Sequence, residues 1–95
     1  MRMPFEPRLP GRLRGNGWKV KIRDKERLEP PHVTILRFTR SWRIGLRNGR
    51  FLETGDSWND IDPEVRSLVE AAREELVAQW NRMYPENPVG ETDDD

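Results

Sequence analysis

The period of the hydrophobic pattern changes once along the chain, and that change constrains the fold more than any other feature. In Trp18-Lys19-Val20-Lys21-Ile22-Arg23 the apolar residues alternate strictly with cations, the period of a half-buried strand. Residues 32–38 are rich in β-branched and aromatic side chains, and Trp42-Arg43-Ile44-Gly45-Leu46-Arg47 alternates again. Asn48-Gly49 follows, a strong hairpin signal because both residues tolerate positive φ, and residues 50–53 supply a return strand. From Val65 the period is helical: Val65, Leu68, Val69, Ala72, Leu76, Trp80 and Met83 fall on one stripe, with Glu70, Glu74, Ala78 and Asn81 opposite. Asp62 is placed to cap the helix and Pro63 suits its first position, where the missing N–H is unpaired anyway. One helix is predicted over residues 63–83.

The expected fold class is therefore α+β: a small antiparallel sheet of three to four strands with one long C-terminal helix packed on one face, in the order β-β-β-β-α. Trp18, Val20, Ile22, Leu36, Phe38, Trp42, Ile44 and Leu46 are the residues expected to meet the helix stripe. With 95 residues the chain supports one domain, and such a domain buries only about 60–65% of the surface its unfolded chain exposes. A large internal substrate cavity is not expected. Residues 1–17 combine Pro4, Pro7, Pro10, Gly11, Gly15 and Gly17 with Arg2, Arg8, Arg12 and Arg14 and read as a flexible basic arm. Residues 18–84 form the domain, and residues 85–95, ending in Asp93-Asp94-Asp95, read as a disordered acidic tail.

A formal net charge of zero conceals a split. Residues 1–50 hold 14 basic and 4 acidic side chains, hence +10; residues 51–95 hold 3 and 13, hence −10. Such asymmetry points to a polyanion-facing half and an acidic half. If Asn48-Gly49 is a two-residue loop, Leu46 faces Phe51 and Arg47 faces Arg50, and a three-residue turn at Thr39-Arg40-Ser41 sets Arg37 opposite Arg43. The face away from the helix then carries Val33, Ile35 and Leu52 within a rim of Arg37, Arg43, Arg47 and Arg50. Together with Lys19, Lys21 and Arg23 these cations are the candidate residues for binding a nucleic acid or a protein partner, guanidinium groups being suited to phosphate and carboxylate. An apolar centre rimmed by arginines equally describes a protein interface, with an acidic partner or a second copy of the chain as occupant.

His32 is the one side chain with an ordinary pKa near neutrality, and so the one candidate for proton transfer in a metal-independent ribonuclease. Asp56, Asp60, Asp62 and Glu64 form a carboxylate cluster, but Trp58 and Ile61 break the ligand spacing of a calcium loop, and charge at a helix start explains it. No metal and no cofactor is expected. Ser41, Ser57 and Ser67 belong to no nucleophile-elbow pattern. Without cysteine there is no disulfide and no thiolate zinc site. No apolar run reaches the length of a membrane span and residues 1–17 lack the apolar core of a signal peptide, so a cytoplasmic location is expected.

Pro30-Pro31-His32 leading into Val33-Thr34-Ile35-Leu36, then Trp42 to Leu46, a Gly turn, Phe51-Leu52-Glu53, and a helix ending Glu74-Glu75-Leu76-Val77-Ala78-Gln79-Trp80 resembles the DUF4160 family of small bacterial proteins, over roughly residues 19–81. The family pattern Pro-Pro-His-Phe-His is interrupted here by Thr34 at its second His. The resemblance implies a toxin–antitoxin-like gene pair and transfers no catalytic residue. The resulting expectation is a non-catalytic binding module of such a pair, engaging RNA or an acidic protein through a basic sheet face. The alternatives are a metal-independent ribonuclease toxin using His32, Arg43 and Arg47, and a self-associating protein, such as a homodimer.

Overall fold

Three antiparallel strands form from the two alternating segments and the β-branched one between them: β1 (Trp18–Lys21), β2 (His32–Arg37) and β3 (Arg40–Gly45), in the spatial order β1-β2-β3. The computed structural model describes residues 5–23 and 29–90. A short helix, α1 (Gly11–Gly15), precedes the sheet; a 3-10 turn (Trp58–Asp60) and two helices, α2 (Pro63–Ala71) and α3 (Arg73–Met83), follow it. The fold class is α+β, and no described helix is long and apolar enough to cross a membrane.

Cross-strand register decides which residues are inside. Val20 pairs with Ile35, Ile35 with Trp42, and Val33 with Ile44. Because side chains at paired positions share a face, Trp18, Val20, Val33, Ile35, Trp42 and Ile44 line one side, and all are buried. The expectation that Val33 and Ile35 lie outside while Leu36 and Phe38 lie inside is overturned. The β2–β3 turn has two residues, Phe38 and Thr39, with Arg37 opposite Arg40; relative to the three-residue turn the pairing shifts by an odd number, which exchanges the faces of β2. Phe38 is left 75% exposed.

The fourth strand reduces to a single bridge, Ile44 with Phe51. Gly45 N–H donates to the Arg50 carbonyl (2.7 Å) and Leu52 N–H to the Arg43 carbonyl (2.9 Å), so four residues, 46–49, make the loop instead of two. The predicted pairs Leu46–Phe51 and Arg47–Arg50 do not form. Leu46 is drawn away from the ladder: its side chain is buried, its N–H donates to the Pro31 carbonyl (2.9 Å) and its own carbonyl accepts from Arg73 Nη2 (2.6 Å).

Asp62 caps α2 as expected, its Oδ1 accepting from Glu64 N–H (2.8 Å), with Pro63 in the first turn. The single helix expected over residues 63–83 is instead two, since Ala72 leaves helical geometry (φ −93, ψ 8). The helical stripe is otherwise as read: Val65, Val69, Leu76, Trp80 and Met83 are buried, with Leu68 and Ala72 packed at its edge.

The core also takes Leu9, Leu13, Tyr84 and Val89. Residues 5–17 are accordingly no flexible arm: Phe5 bridges Ile22 with two backbone hydrogen bonds (2.9 and 2.7 Å), and Leu13 in α1 is fully buried. Nor does packing stop at residue 84. Trp80 Nε1 donates to the Asn87 carbonyl (2.7 Å), Asn87 Nδ2 to the Glu29 carbonyl (2.7 Å), and Val89 N–H to Asn81 Oδ1 (2.7 Å). Residues 1–4 and 91–95, the outer parts of the expected arm and tail, lie outside the described residues.

Candidate nucleic-acid interface

The sheet face opposite Val33 and Ile35 does not carry a cluster of uncompensated arginines. Lys21, Thr34 and Arg43 form one cross-strand row there. Arg43, half-buried, lies between two carboxylates: Nη1 is 2.7 Å from Glu29 Oε1, Nε is 3.2 Å from Glu53 Oε1, and Nη2 also bonds Glu53. The hydrogen bond from Arg43 holds the Glu53 carboxyl below its usual range, against an opposing contribution from burial, and the bond to Glu53 in turn raises Arg43. Arg47 is directed to the C-terminal segment, Nε donating to the Val89 carbonyl (3.0 Å) and Nη2 to the Pro88 carbonyl (3.1 Å). Arg50 is exposed on the loop after Gly49, and Arg23 is exposed beyond β1, its carbonyl accepting from Tyr84 OH.

His32 is fully buried. Its Nδ1 is 2.8 Å from the Pro30 carbonyl, an acceptor only, so Nδ1 carries the proton and donates. Nε2 lies 3.7 Å from Glu29 Oε1, and the ring packs 5.6 Å from Trp80. His32 thus ties the Pro30-Pro31 turn to α3. Beside it on the same sheet face, Thr34 Oγ1 is buried with no hydrogen-bond partner among the described residues.

The acidic run before α2 is matched to basic residues of the first half. Arg12 pairs with Asp62 (3.5 Å) and Glu64, and Arg40 with Asp60 (3.5 Å). Of the carboxylates read in sequence as a charged helix start, Asp62 caps α2 and Glu64 lies in its first turn, while Asp60 belongs to the preceding 3-10 turn. Among the described residues no group of three or more His, Cys, Asp or Glu is placed to hold a metal ion.

Of the cations that make no ion pair among the described residues, three line one groove. Among the described residues the N-terminal segment bridges the chain at one point, Phe5 with Ile22 just beyond β1; Pro7 has no N–H to extend the ladder, and the segment diverges before turning into α1. The divergence opens a surface groove of about 400 Å³ lined by Glu6, Pro7, Arg8, Leu9, Arg14, Gly17, Trp18 and Lys19. Arg8, Arg14 and Lys19 are exposed and make no ion pair among the described residues; Glu6 is the one carboxylate in the lining. Buried Leu9 and Leu13 fix the backbone from which Arg8 and Arg14 project.

Arg37 and Phe38 adjoin the groove through Gly17. The Arg37 guanidinium lies 5.1 Å from the Trp18 ring and 5.4 Å from the Phe38 ring, with Nε donating to the Asn16 carbonyl (3.0 Å). Gly17 (φ +90) leaves room for the Phe38 ring, which a Cβ would meet at 2.5 Å. Phe38 itself has φ +54, at a turn position that ordinarily takes glycine; an aromatic there costs of order 1–2 kcal/mol.

Of the expected binding residues, then, Lys19 and Arg37 stand at the groove, Lys21 and Arg43 on the sheet face, and Arg23, Arg47 and Arg50 elsewhere. Arg8, Arg14 and Phe38 were not among them. For the two arginines the signal was present in Leu9 and Leu13, apolar residues within the basic segment and next to both cations, of a type most often found buried. Searches of protein-family models, of curated proteins and of solved structures found no match to this chain.

Proposed function

We propose that the chain is a non-catalytic nucleic-acid-binding module that takes an RNA backbone in the groove between its N-terminal segment and β1. The observation that carries this reading is the contrast in compensation: Arg12, Arg40 and Arg43 are each paired with carboxylates, whereas Arg8, Arg14 and Lys19 line one groove without such pairs. Converging unpaired cations favour a chain of phosphates, and neutralising phosphates releases counterions, so binding should weaken steeply with salt. Burial of His32 supports binding over cleavage, since a general acid must reach the group it protonates. The toxin–antitoxin-like setting belongs to this proposal through the sequence resemblance.

Anisotropy of a labelled single-stranded RNA, titrated at several salt concentrations, tests it. We expect binding at low salt with a log–log slope near −2, from about 0.7 per phosphate neutralised by three cations. Replacement of Arg8, Arg14 and Lys19 by Glu should abolish it. Absence of binding by the unaltered chain at low salt overturns the proposal. Equal competition by polyglutamate would replace RNA with an acidic protein segment as the partner.

A further inference from the structure

We infer that Phe38 is a stacking platform for an unpaired base, so that the nucleic acid taken by the groove is single-stranded; the inference rests on the reading above. Phe38 is the only large hydrophobic side chain exposed among the described residues, and it stands in a backbone conformation, φ +54, that glycine or asparagine would adopt without strain. Strain of this kind persists where the side chain has a use. The ring is also already positioned. One edge rests on Gly17, whose Cα leaves no room for a side chain, and the Arg37 guanidinium stands 5.4 Å from the ring centre, itself held by the Asn16 carbonyl.

Gly17 lines the basic groove as well as supporting the ring, so phosphate-binding cations and an open aromatic surface share one backbone segment. Aromatic rings beside a cationic track are how sequence-tolerant proteins take single strands: every base offers a π-face, and a duplex hides those faces in its own stack. Arg37 adds a guanidinium plane and a positive charge at the junction between ring and groove.

The test compares a labelled oligouridylate with an RNA duplex of equal length, by anisotropy, on the full chain. The unaltered chain should prefer the single strand. Phe38→Ala should weaken that binding about 5- to 150-fold, the range for loss of one base–aromatic stack, with the salt slope unchanged, and Phe38→Tyr should restore it. Phe38→Gly relieves the positive φ and so keeps the fold; it should bind as weakly as Phe38→Ala. If Phe38→Ala and Phe38→Gly bind like the unaltered chain while the triple Glu variant does not, the stacking inference falls and the groove reading stands. Equal affinity for duplex and single strand also overturns the inference. Absence of binding by the unaltered chain removes the groove reading and this inference together.

Discussion

Replacing Arg43 with Gln tests whether that arginine serves the fold or a ligand. Arg43 contacts Glu29 and Glu53 with its own side chain 31% exposed and theirs 44% and 45% exposed. Water screens both pairs, so each contributes only about 0.5–1 kcal/mol, and the two carboxylates left facing one another add a small repulsion. The variant should therefore lose about 1–2 kcal/mol at pH 7, which for a domain of this size lowers Tm by roughly 5–10 °C. The pH dependence has a definite sign. Glu53 is held below its usual carboxylate range, so the folded state binds fewer protons there than the unfolded state. The stabilisation is complete above the ordinary carboxylate pKa of about 4.3 and is lost as pH falls through the lower folded value. Urea denaturation followed by tryptophan fluorescence at neutral pH and at acid pH reads both: the gap between the two proteins should be present at the first and narrow progressively as the carboxylates protonate. A gap of the same size at both would show that the carboxylates are not its cause. No gap at neutral pH would return Arg43 to the set of cations available for binding.

Leu13→Ala should cost about 2–5 kcal/mol, the range for truncating a fully buried leucine, because α1 is packed into the core; unaltered thermal stability would restore the flexible arm. Thr34→Val, nearly isosteric, removes a buried hydroxyl without a partner among the described residues and should leave stability equal or higher by up to about 1 kcal/mol; a clear loss in urea denaturation would mean that the hydroxyl is bonded in solution.

Legibility from sequence followed how one-sided each element is. β1 and the helical stripe were read correctly because polar residues separate their buried ones: Lys19 and Lys21 are accessible between Trp18, Val20 and Ile22, and Glu70 and Glu74 lie opposite Val69 and Leu76. β2 offers no such contrast, since His32, Val33, Thr34 and Ile35 are all buried and a strand covered on both faces has no informative period. Its phase then depends on the turn, and the positive φ of Phe38 that shortens the turn to two residues runs against the preference of an aromatic. The same slip displaced the candidate site. Which arginines meet carboxylates is a matter of register and long-range packing: Arg43 reaches Glu29 and Glu53, and Arg12 reaches a helix start some fifty residues later, with Arg12 and Asp62 separated by 50 positions.

The split of +10 and −10 acquires a physical meaning in these pairs. Arg12, Arg40 and Arg43 from the basic half meet Asp62, Glu64, Asp60 and Glu53 from the acidic half, so part of the asymmetry is neutralised within one molecule. Among the cations outside that neutralisation, Arg8, Arg14 and Lys19 share a groove that the chain builds by separating its N-terminal segment from β1.

The salt dependence of single-stranded RNA binding measures the use of those three cations most directly. If the groove takes the RNA backbone, the slope is near −2 in log affinity against log salt, retained in Arg43→Gln and lost when Arg8, Arg14 and Lys19 are all replaced by Glu. A slope near zero, or one that falls with Arg43→Gln and survives in the triple variant, would contradict that reading.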